Sequence, residues 1–503
     1  MTSILEPKPP VDFSVSPEEL SERLKLNKVD LPAEFISKLS ELNIVTDTSI
    51  NELADHSRDW WPLSLQWAQK GMAPTFPGIV VYPTSVKELS EILKTASQFK
   101  IPVTPAAGKS GVCGGVICVP GSVSIDLRKL RETFEVDEDS RTLTVSCGFF
   151  GPEVEKRLQD DHNLTLGHYP QSFEISTVGG WLACRGAGQL SNRYGKIEDM
   201  VVSLKVVLAD GSVITTATNA PRAAIGPDLN QLFVGSEGTF GIIGEATLRL
   251  HEKAAFIKKV AYSASSFEAG LSFCQKVIQT GANPAVLRLY DAVESERNFK
   301  LDDKNIIIIL DEGNETLVNA NFEVVGSLAV DLEVLEESLV DHWLETRNDV
   351  DGLGVYTKMG VCLDTIEISA NWANLSQIYQ DVIGSLKGVE GTVNASAHQS
   401  HAYVSGACIY FTFAGITTDP EDETFNEKYY RKCWDTVMRI VKQHGGAISH
   451  HHGIGLNRSL YMEDALGSAF EVLNRIKKAL DPDMIMNPYK LGFGIEDIAT
   501  EIP

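Results

Sequence analysis

The sequence predicts an α+β protein: a helical N-terminal extension followed by two mixed domains. Three observations carry this. Strand-like and helix-like segments alternate from Pro77 onward, three glycine-rich loops punctuate residues 77–250, and a second α/β pattern runs from about 256 to 445. For a chain of 503 residues, length alone suggests roughly two to four domains.

The extension covers 1–74. Ser16-Pro17-Glu18-Glu19 reads as a helix start: a capping serine, proline at the first position, then acids near the positive end. Trp60, Trp61 and Trp67 crowd together, and clustered aromatics serve a core more often than a membrane or lid surface. The first domain, 75–250, opens with a strand at 78–82. Ser85-Val86-Lys87-Glu88 then caps a helix carrying Leu89, Ile92, Leu93 and Ala96 on one face. Strands follow at 101–104, 123–127, 133–136, 142–146 and 201–208, with a helix at 152–158. The second domain, 256–455, places helices near 266–279, 314–337, 375–386 and 423–443, and strands near 285–288, 306–310, 364–369 and 407–412. A C-terminal segment, 456–503, carries a last helix at about 465–480.

Composition narrows the function. Apolar residues at 43% and charged residues at 22% are ordinary for a soluble globular protein. A net charge of −24 excludes a nucleic-acid partner and a polybasic membrane anchor. The eight cysteines include no C-x-x-C pair, so neither a zinc knuckle nor a thioredoxin-type site is signalled. MTSILEPKPP lacks the apolar core of a secretory signal, no apolar run approaches a membrane span, and Glu501-Ile502-Pro503 is not a peroxisomal tripeptide. A reduced, cytoplasmic protein is expected.

The first glycine-rich loop is Pro105-Ala106-Ala107-Gly108-Lys109-Ser110-Gly111-Val112, continuing to Gly115. The second, His168 to Gly188, has an extended segment, a Ser176-Thr177-Val178-Gly179-Gly180-Trp181 turn, and small residues around Arg185. The third is Gly235-Ser236-Glu237-Gly238-Thr239-Phe240-Gly241-Ile242-Ile243. Backbone N–H groups clear of side chains can hold phosphate. Gly108-Lys109-Ser110 mimics the end of a P-loop, but that motif needs glycine at 103, where valine stands. No G-x-G-x-x-G follows a strand, so a Rossmann site is not supported. Three loops in one unit suit a dinucleotide gripped from several sides.

Polar candidates in the second domain are fewer. His450, His451 and His452 precede Gly453-Ile454-Gly455, and on extended backbone His450 and His452 share a face. They read as acid/base or anion-binding groups rather than a metal pair completed by His168, His398 or His401. No carboxylate or cysteine stands beside them at ligand spacing, and no metal is assigned. Arg288 interrupts an apolar strand and needs a counter-charge, either a bound anion or a carboxylate such as Asp291. By pattern alone Tyr410 is a core strand residue.

Together these segments resemble the FAD-binding PCMH-type (vanillyl-alcohol oxidase) family. PAAGKSGVCGG at 105–115, STVGGWLACRGAG at 176–188 with YGKIED at 194–199, and GSEGTFGII at 235–243 look like its three flavin loops. His168 with EISTVGGW, GPD at 226–228, LRLYD at 287–291, GACIYF at 406–411 and SHHHGIG at 449–455 look like the alkyldihydroxyacetonephosphate synthase branch. DPDMIMNPYK at 481–490 is common to the wider family. The resemblance implies a two-part FAD-binding domain completed by the C-terminal segment, an inserted α/β cap, and FAD between the two. It implies cofactor contacts from the first loop, from Ser176, Thr177, Gly179, Gly180, Trp181, Arg185, Gly188 and Tyr194, from Glu237, Gly238, Gly241, Ile242 and Ile243, and from Asn487.

In that branch flavin N5 forms an adduct with acyl-dihydroxyacetone phosphate, the fatty acid leaves, a long-chain alcohol adds, and no net redox occurs. Carried across, Tyr410 moves the proton, its pKa lowered by neighbouring His⁺ or Arg⁺. His450, His451, His452 and His168 act as acid/base or orienting groups, and Arg288 binds the phosphate. A small, lipid-like substrate, a homodimer and at most peripheral membrane contact are implied.

Three departures stand out. The family loop carries glycine where Lys109 stands. A second arginine of the branch falls on Leu353 without a gap, and on Arg347 only with one. The first loop lacks the histidine of relatives with covalent flavin, so non-covalent FAD is expected. The competing reading is a flavin oxidoreductase of a 2-hydroxy acid or alcohol. D-2-hydroxyacid dehydrogenases carry H-G-D-G-N-x-H and a metal where this chain has GACIYF.

Overall fold

The computed structural model describes residues 6–419 and 421–503, with the backbone alone at Asp351. The first five residues, part of the stretch read as lacking a secretory signal, lie outside the described residues. Four strands, Val45–Asp47, Ile79–Tyr82, Val123–Asp126 and Val103–Ala106, lie side by side in that order, the last three parallel. Between them runs helix Val86–Phe99. Ser85 accepts its Glu88 amide at 3.0 Å, and Leu89, Ile92, Leu93 and Ala96 form its buried face. The C-terminal tail joins this sheet: Met486 pairs in parallel with Val103, and the Asn487 amide donates to the Val103 carbonyl at 2.8 Å. A five-stranded antiparallel sheet follows, ordered Val213–Thr215, Val201–Val207, Ile242–Arg249, Thr142–Ser146, Phe134–Asp137.

The remaining large sheet is antiparallel and has seven strands: Glu333–Leu335, Phe256–Ala264, Asn305–Gly313, Val286–Tyr290, Thr392–Ala402, Gly406–Gly415 and Cys362–Asn371. Strand alternation separates its faces. Ile409, Phe411 and Phe413 are fully buried, and Phe413 meets Tyr429 and Tyr430 of helix Phe425–Gln443 edge-on. On the opposite face the register aligns Glu367, Tyr410, His398 and Tyr290 across four neighbouring strands. Directly opposed residues share a face, so pairing alone assembles this polar row.

Several sequence expectations are corrected. Ser16 starts only a short 3-10 turn, Pro17–Glu19, because Leu20 is extended and leads into strand Ser21–Glu22, paired with Met72–Ala73. The second glycine-rich loop contains a helix, not a turn: Thr177 caps Val178–Cys184 by accepting the Gly180 amide at 3.3 Å. The helix expected at 314–337 ends at Leu328, and Glu333–Leu335 forms a sheet edge. The last helix breaks at Gly467, φ +52°, into Met462–Leu466 and Ser468–Leu480. Strand Thr392–Ala402 escapes a hydrophobic pattern because it is built of small and polar residues.

The tryptophans are core residues. Trp61 donates to the Tyr430 hydroxyl at 2.9 Å and Trp67 to Glu427 at 2.6 Å, fastening the N-terminal segment to helix Phe425–Gln443. They therefore form no membrane-facing patch. Among the described residues no helix is long and apolar enough to cross a membrane. All eight cysteines are free thiols.

Candidate active site

A cavity of about 870 Å³ lies where the first two glycine-rich loops face the polar row of the seven-stranded sheet. Pro105, Ala106, Ala107, Gly108, Lys109, Ser110, Gly111, Val112, Ser176, Thr177, Gly179, Gly180, Trp181, Glu237 and Asn487 line it. Gly108 lets the loops close on each other, since a Cβ there would stand 2.3 Å from the Ile175 carbonyl oxygen. Lys109 takes φ +52°, the left-handed backbone that favours glycine. Its ammonium is paired with Asp55. The lysine thus leaves the loop backbone available and carries its charge elsewhere.

Seven expected cofactor contacts do not line the cavity. Arg185 bonds Gln231 at 2.6 Å, and Tyr194 donates to Glu312 at 2.6 Å. Gly188 packs on the Tyr169 backbone, Gly238 on Pro105, and Gly241 on Val206. Ile242 and Ile243 begin a strand and sit in the core.

The fit to FAD rests on the loops and on one orphaned atom. Asn487 donates to the Glu237 carbonyl at 2.7 Å, yet its buried Oδ1 has no protein partner. A buried acceptor of this kind is ordinarily satisfied, and a bound ligand would satisfy it. Pro105 to Val112 and Ser176 to Gly180 are the segments that would hold the cofactor.

The histidine loop is held by two carboxylates far away in sequence. Glu367 is fully buried and accepts the amides of His450, His451 (3.4 Å) and His452 (2.8 Å) and the Ser449 hydroxyl (2.8 Å). Arg458 lies 3.2 Å from it, equally buried. Burial would raise the Glu367 pKa; Arg458, the histidines and the amide bonds outweigh that and hold it at about 2. Glu237 accepts the amides of Ile454 and Gly455.

Tyr410 is the centre of the row. Its hydroxyl bonds Nε2 of His451 and lies 3.4 Å from Nε2 of His452, while its ring stacks on His398 at 4.6 Å. His398 in turn bonds buried Glu294 at 2.8 Å, which also accepts the Thr412 hydroxyl at 2.8 Å. The Tyr410 pKa is not lowered. Burial pushes it well above its ordinary value, with Cys408 and Glu367 adding to the effect. Burial also pushes His450 down to about 3 and His452 to about 4, and His451 well below its usual range. The expected His⁺ neighbours are therefore neutral rings. His401, His450 and His451 bring ring nitrogens within 4.8 Å, but both nitrogens of His450 and of His451 are already engaged in hydrogen bonds.

Three arginines line the cavity, and one of them, Arg297, is paired with Glu294 at 3.2 Å. Arg288 is buried, with no ion pair among the described residues and an unpartnered Nε. Asp291 does not serve it; that carboxylate accepts the Glu294 and Ala397 amides at 2.9 and 2.7 Å. Arg347 lines the same cavity, donating to Gln189 at 3.2 Å. The guanidinium carbons of Arg288 and Arg347 lie 5.3 and 5.7 Å from the Trp343 ring. Space, not alignment spacing, thus brings Arg347 beside Arg288.

His168 behaves differently. It is fully buried, lies against Trp181 with ring centroids 4.7 Å apart and planes tilted by 54°, and neither ring nitrogen has a partner among the described residues. It is not among the residues that line the cavity, and burial holds its pKa down to about 3. His450 also lies behind the lining residues. Sequence reasoning missed Glu367, Glu294 and Trp343, named Arg347 only as a gapped alternative to Leu353, and named His398 only as a metal candidate. No local pattern marks them.

Comparisons with known proteins agree with this geometry. Residues 77–217 match the FAD binding domain model, and 254–491 match the C-terminal domain of FAD linked oxidases. An uncharacterized FAD-linked oxidoreductase of Escherichia coli is 30% identical, covering 82% of this chain and 88% of its own. An alkyldihydroxyacetonephosphate synthase of Trypanosoma brucei brucei is 29% identical, covering 86% and 75%. A mitochondrial D-lactate dehydrogenase [cytochrome] of Arabidopsis thaliana is also 29% identical, covering 83% and 74%. A solved alkyldihydroxyacetonephosphate synthase superposes with a TM-score of 0.78 at 24% identity, covering 95% and 89%. Loops, cavity and both matched domains lead to one conclusion: the chain belongs to the FAD-linked oxidoreductases of the PCMH type, and its cofactor is FAD.

Proposed function

We propose that this enzyme exchanges the acyl group of an acyl-dihydroxyacetone-phosphate-like substrate for a long-chain alkoxy group, without net redox and with non-covalent FAD. One observation carries the reading: the Tyr410 hydroxyl, held by His451 and His452, shares its cavity with Arg288 and Arg347. Bound FAD supplies an electron-poor ring that activates the substrate carbon. The arginines suit a phosphate dianion, which two guanidinium groups recognise better than one. The neutral histidines accept the Tyr410 proton as its phenol takes one from the substrate. Glu367 fixes the loop that presents them. The synthase relatives support this reading, as does the absence of an H-G-D-G-N-x-H motif.

A second reading is oxidation of a 2-hydroxy acid. The arginine pair also suits a carboxylate, and a D-lactate dehydrogenase is among the relatives. Anaerobic mixing separates the two. Palmitoyl-dihydroxyacetone phosphate with hexadecanol should yield the alkyl product with the flavin still oxidised, and Tyr410→Phe should lower the rate at least about 100-fold. Bleaching of the flavin by hydroxy acids or alcohols, with no exchange, would establish the oxidoreductase instead.

A further inference from the structure

His450 and Tyr403 do not line the cavity, yet an unbroken line of ring atoms joins them to it. The Tyr410 hydroxyl meets Nε2 of His451, Nδ1 of His451 lies 2.8 Å from Nδ1 of His450, and Nε2 of His450 lies 2.8 Å from the Tyr403 hydroxyl. Two ring nitrogens facing each other at 2.8 Å share one proton, because two lone pairs would repel and two N–H groups would clash. Both rings are neutral, as burial requires. Their tautomers are therefore coupled. When Nε2 of His451 accepts from Tyr410, its Nδ1 donates to His450, and His450 carries its own proton on Nε2, facing Tyr403.

The rings are also fixed in place. His450 stacks on His401 at 5.1 Å, its carbonyl accepts Lys196 at 2.6 Å, and its amide donates to Glu367. A merely structural cluster has no need of matched nitrogens at both ends of two rings.

We propose that Tyr403, through His450, fixes the tautomer of His451 that turns an Nε2 lone pair toward Tyr410. The assignment rests on the reading of Tyr410 as the proton-transfer group. The Tyr403 oxygen accepts Nε2–H of His450, which leaves Nδ1 of His450 to accept Nδ1–H of His451. Nε2 of His451 is then the acceptor beside the Tyr410 hydroxyl. In the opposite tautomer Nε2 of His451 would already carry a proton and could not take one from Tyr410. Tyr403 and His450 are positioning residues here, since neither touches the cavity.

The test uses ¹⁵N-histidine-labelled holoenzyme, with His450→Gln to assign the ring signals. His451 should resolve as the neutral Nδ1–H tautomer and His450 as the neutral Nε2–H tautomer. Tyr403→Phe should mix both tautomers while leaving flavin absorbance and the thermal midpoint in place. In the exchange of palmitoyl-dihydroxyacetone phosphate with hexadecanol, Tyr403→Phe should lower kcat about tenfold at unchanged KM. Metal-bound or charged rings, or tautomers indifferent to Tyr403→Phe, would overturn the assignment. If no exchange is found, the substrate reading fails alone and the tautomer measurement still decides.

Discussion

Glu237 accepts the backbone N–H of Gly455 at 2.8 Å, and through that bond the third glycine-rich loop holds the histidine loop in register with the cofactor side of the cavity. Gly455 makes a second junction: a Cβ there would stand 2.2 Å from the Cys113 carbonyl oxygen of the first loop. Both Glu237 oxygens are used, one by Ile454 and one by Gly455. Glu237→Gln keeps the shape but turns an NH₂ group toward an amide N–H. The expected loss is about 1–3 kcal/mol. It is read as a lower denaturation midpoint together with faster flavin release; an unchanged release rate would show that the junction does not reach the cofactor.

Arg288 and Arg347 flank Trp343, and neither forms an ion pair among the described residues. Replacing Arg288 by methionine breaks no ion pair, so stability should hold or rise slightly; Arg347 also favours the charged form of Glu312, so its replacement should cost a little. Affinity for a phosphate-bearing substrate should fall about 10- to 100-fold for each, the value of one charge-assisted contact. Inorganic phosphate should raise the thermal midpoint of the wild-type holoenzyme and of neither variant. Arg288→Lys should recover little, because a single ammonium cannot reproduce the planar fork.

His168 carries the pH prediction. Its folded pKa of about 3 lies below its ordinary value, so the unfolded chain binds a proton that the fold refuses. The cost is absent above about pH 6.5 and grows as pH falls toward 3. At pH 5 it amounts to about 2 kcal/mol. His450 and His452 act in the same direction. Asp59, raised by burial to about 7, acts in the opposite one, losing stability as pH rises from the ordinary carboxylate range toward neutrality. His168→Phe isolates the first effect. It should leave pH 7.5 stability within about 1 kcal/mol, since no hydrogen bond is lost, and flatten the acid limb of the stability profile. Flavin content should be unchanged. A loss of activity with flavin and stability intact would give His168 a part in the chemistry.

The strand–helix alternation was legible because it is local. Ser85 caps its helix three residues away, and the apolar face of that helix follows from spacing. Thr177 was read as a turn because glycines at 179 and 180 look like one; the helix forms because Thr177 caps its first turn and Trp181 and Leu182 are buried against the core. The histidine triplet was visible, but what holds it was not. No carboxylate stands beside it in sequence, whereas Glu367, more than eighty residues earlier, lies beneath it in space. By pattern alone Tyr410 was legible as a strand residue, and only the family resemblance marked it for the site.

The sequence by itself determined the three glycine-rich loops, the element order and the family. These depend on residue types at short spacing, where backbone conformation and periodic burial leave their mark. Only the tertiary structure decided which of these residues meet. Register across four antiparallel strands set Glu367, Tyr410, His398 and Tyr290 in one row, and cavity geometry brought Arg347 beside Arg288. It also turned the histidines neutral and Tyr410 hard to ionise, because ionisation responds to burial and to neighbouring charge, neither of which is a property of the chain before it folds.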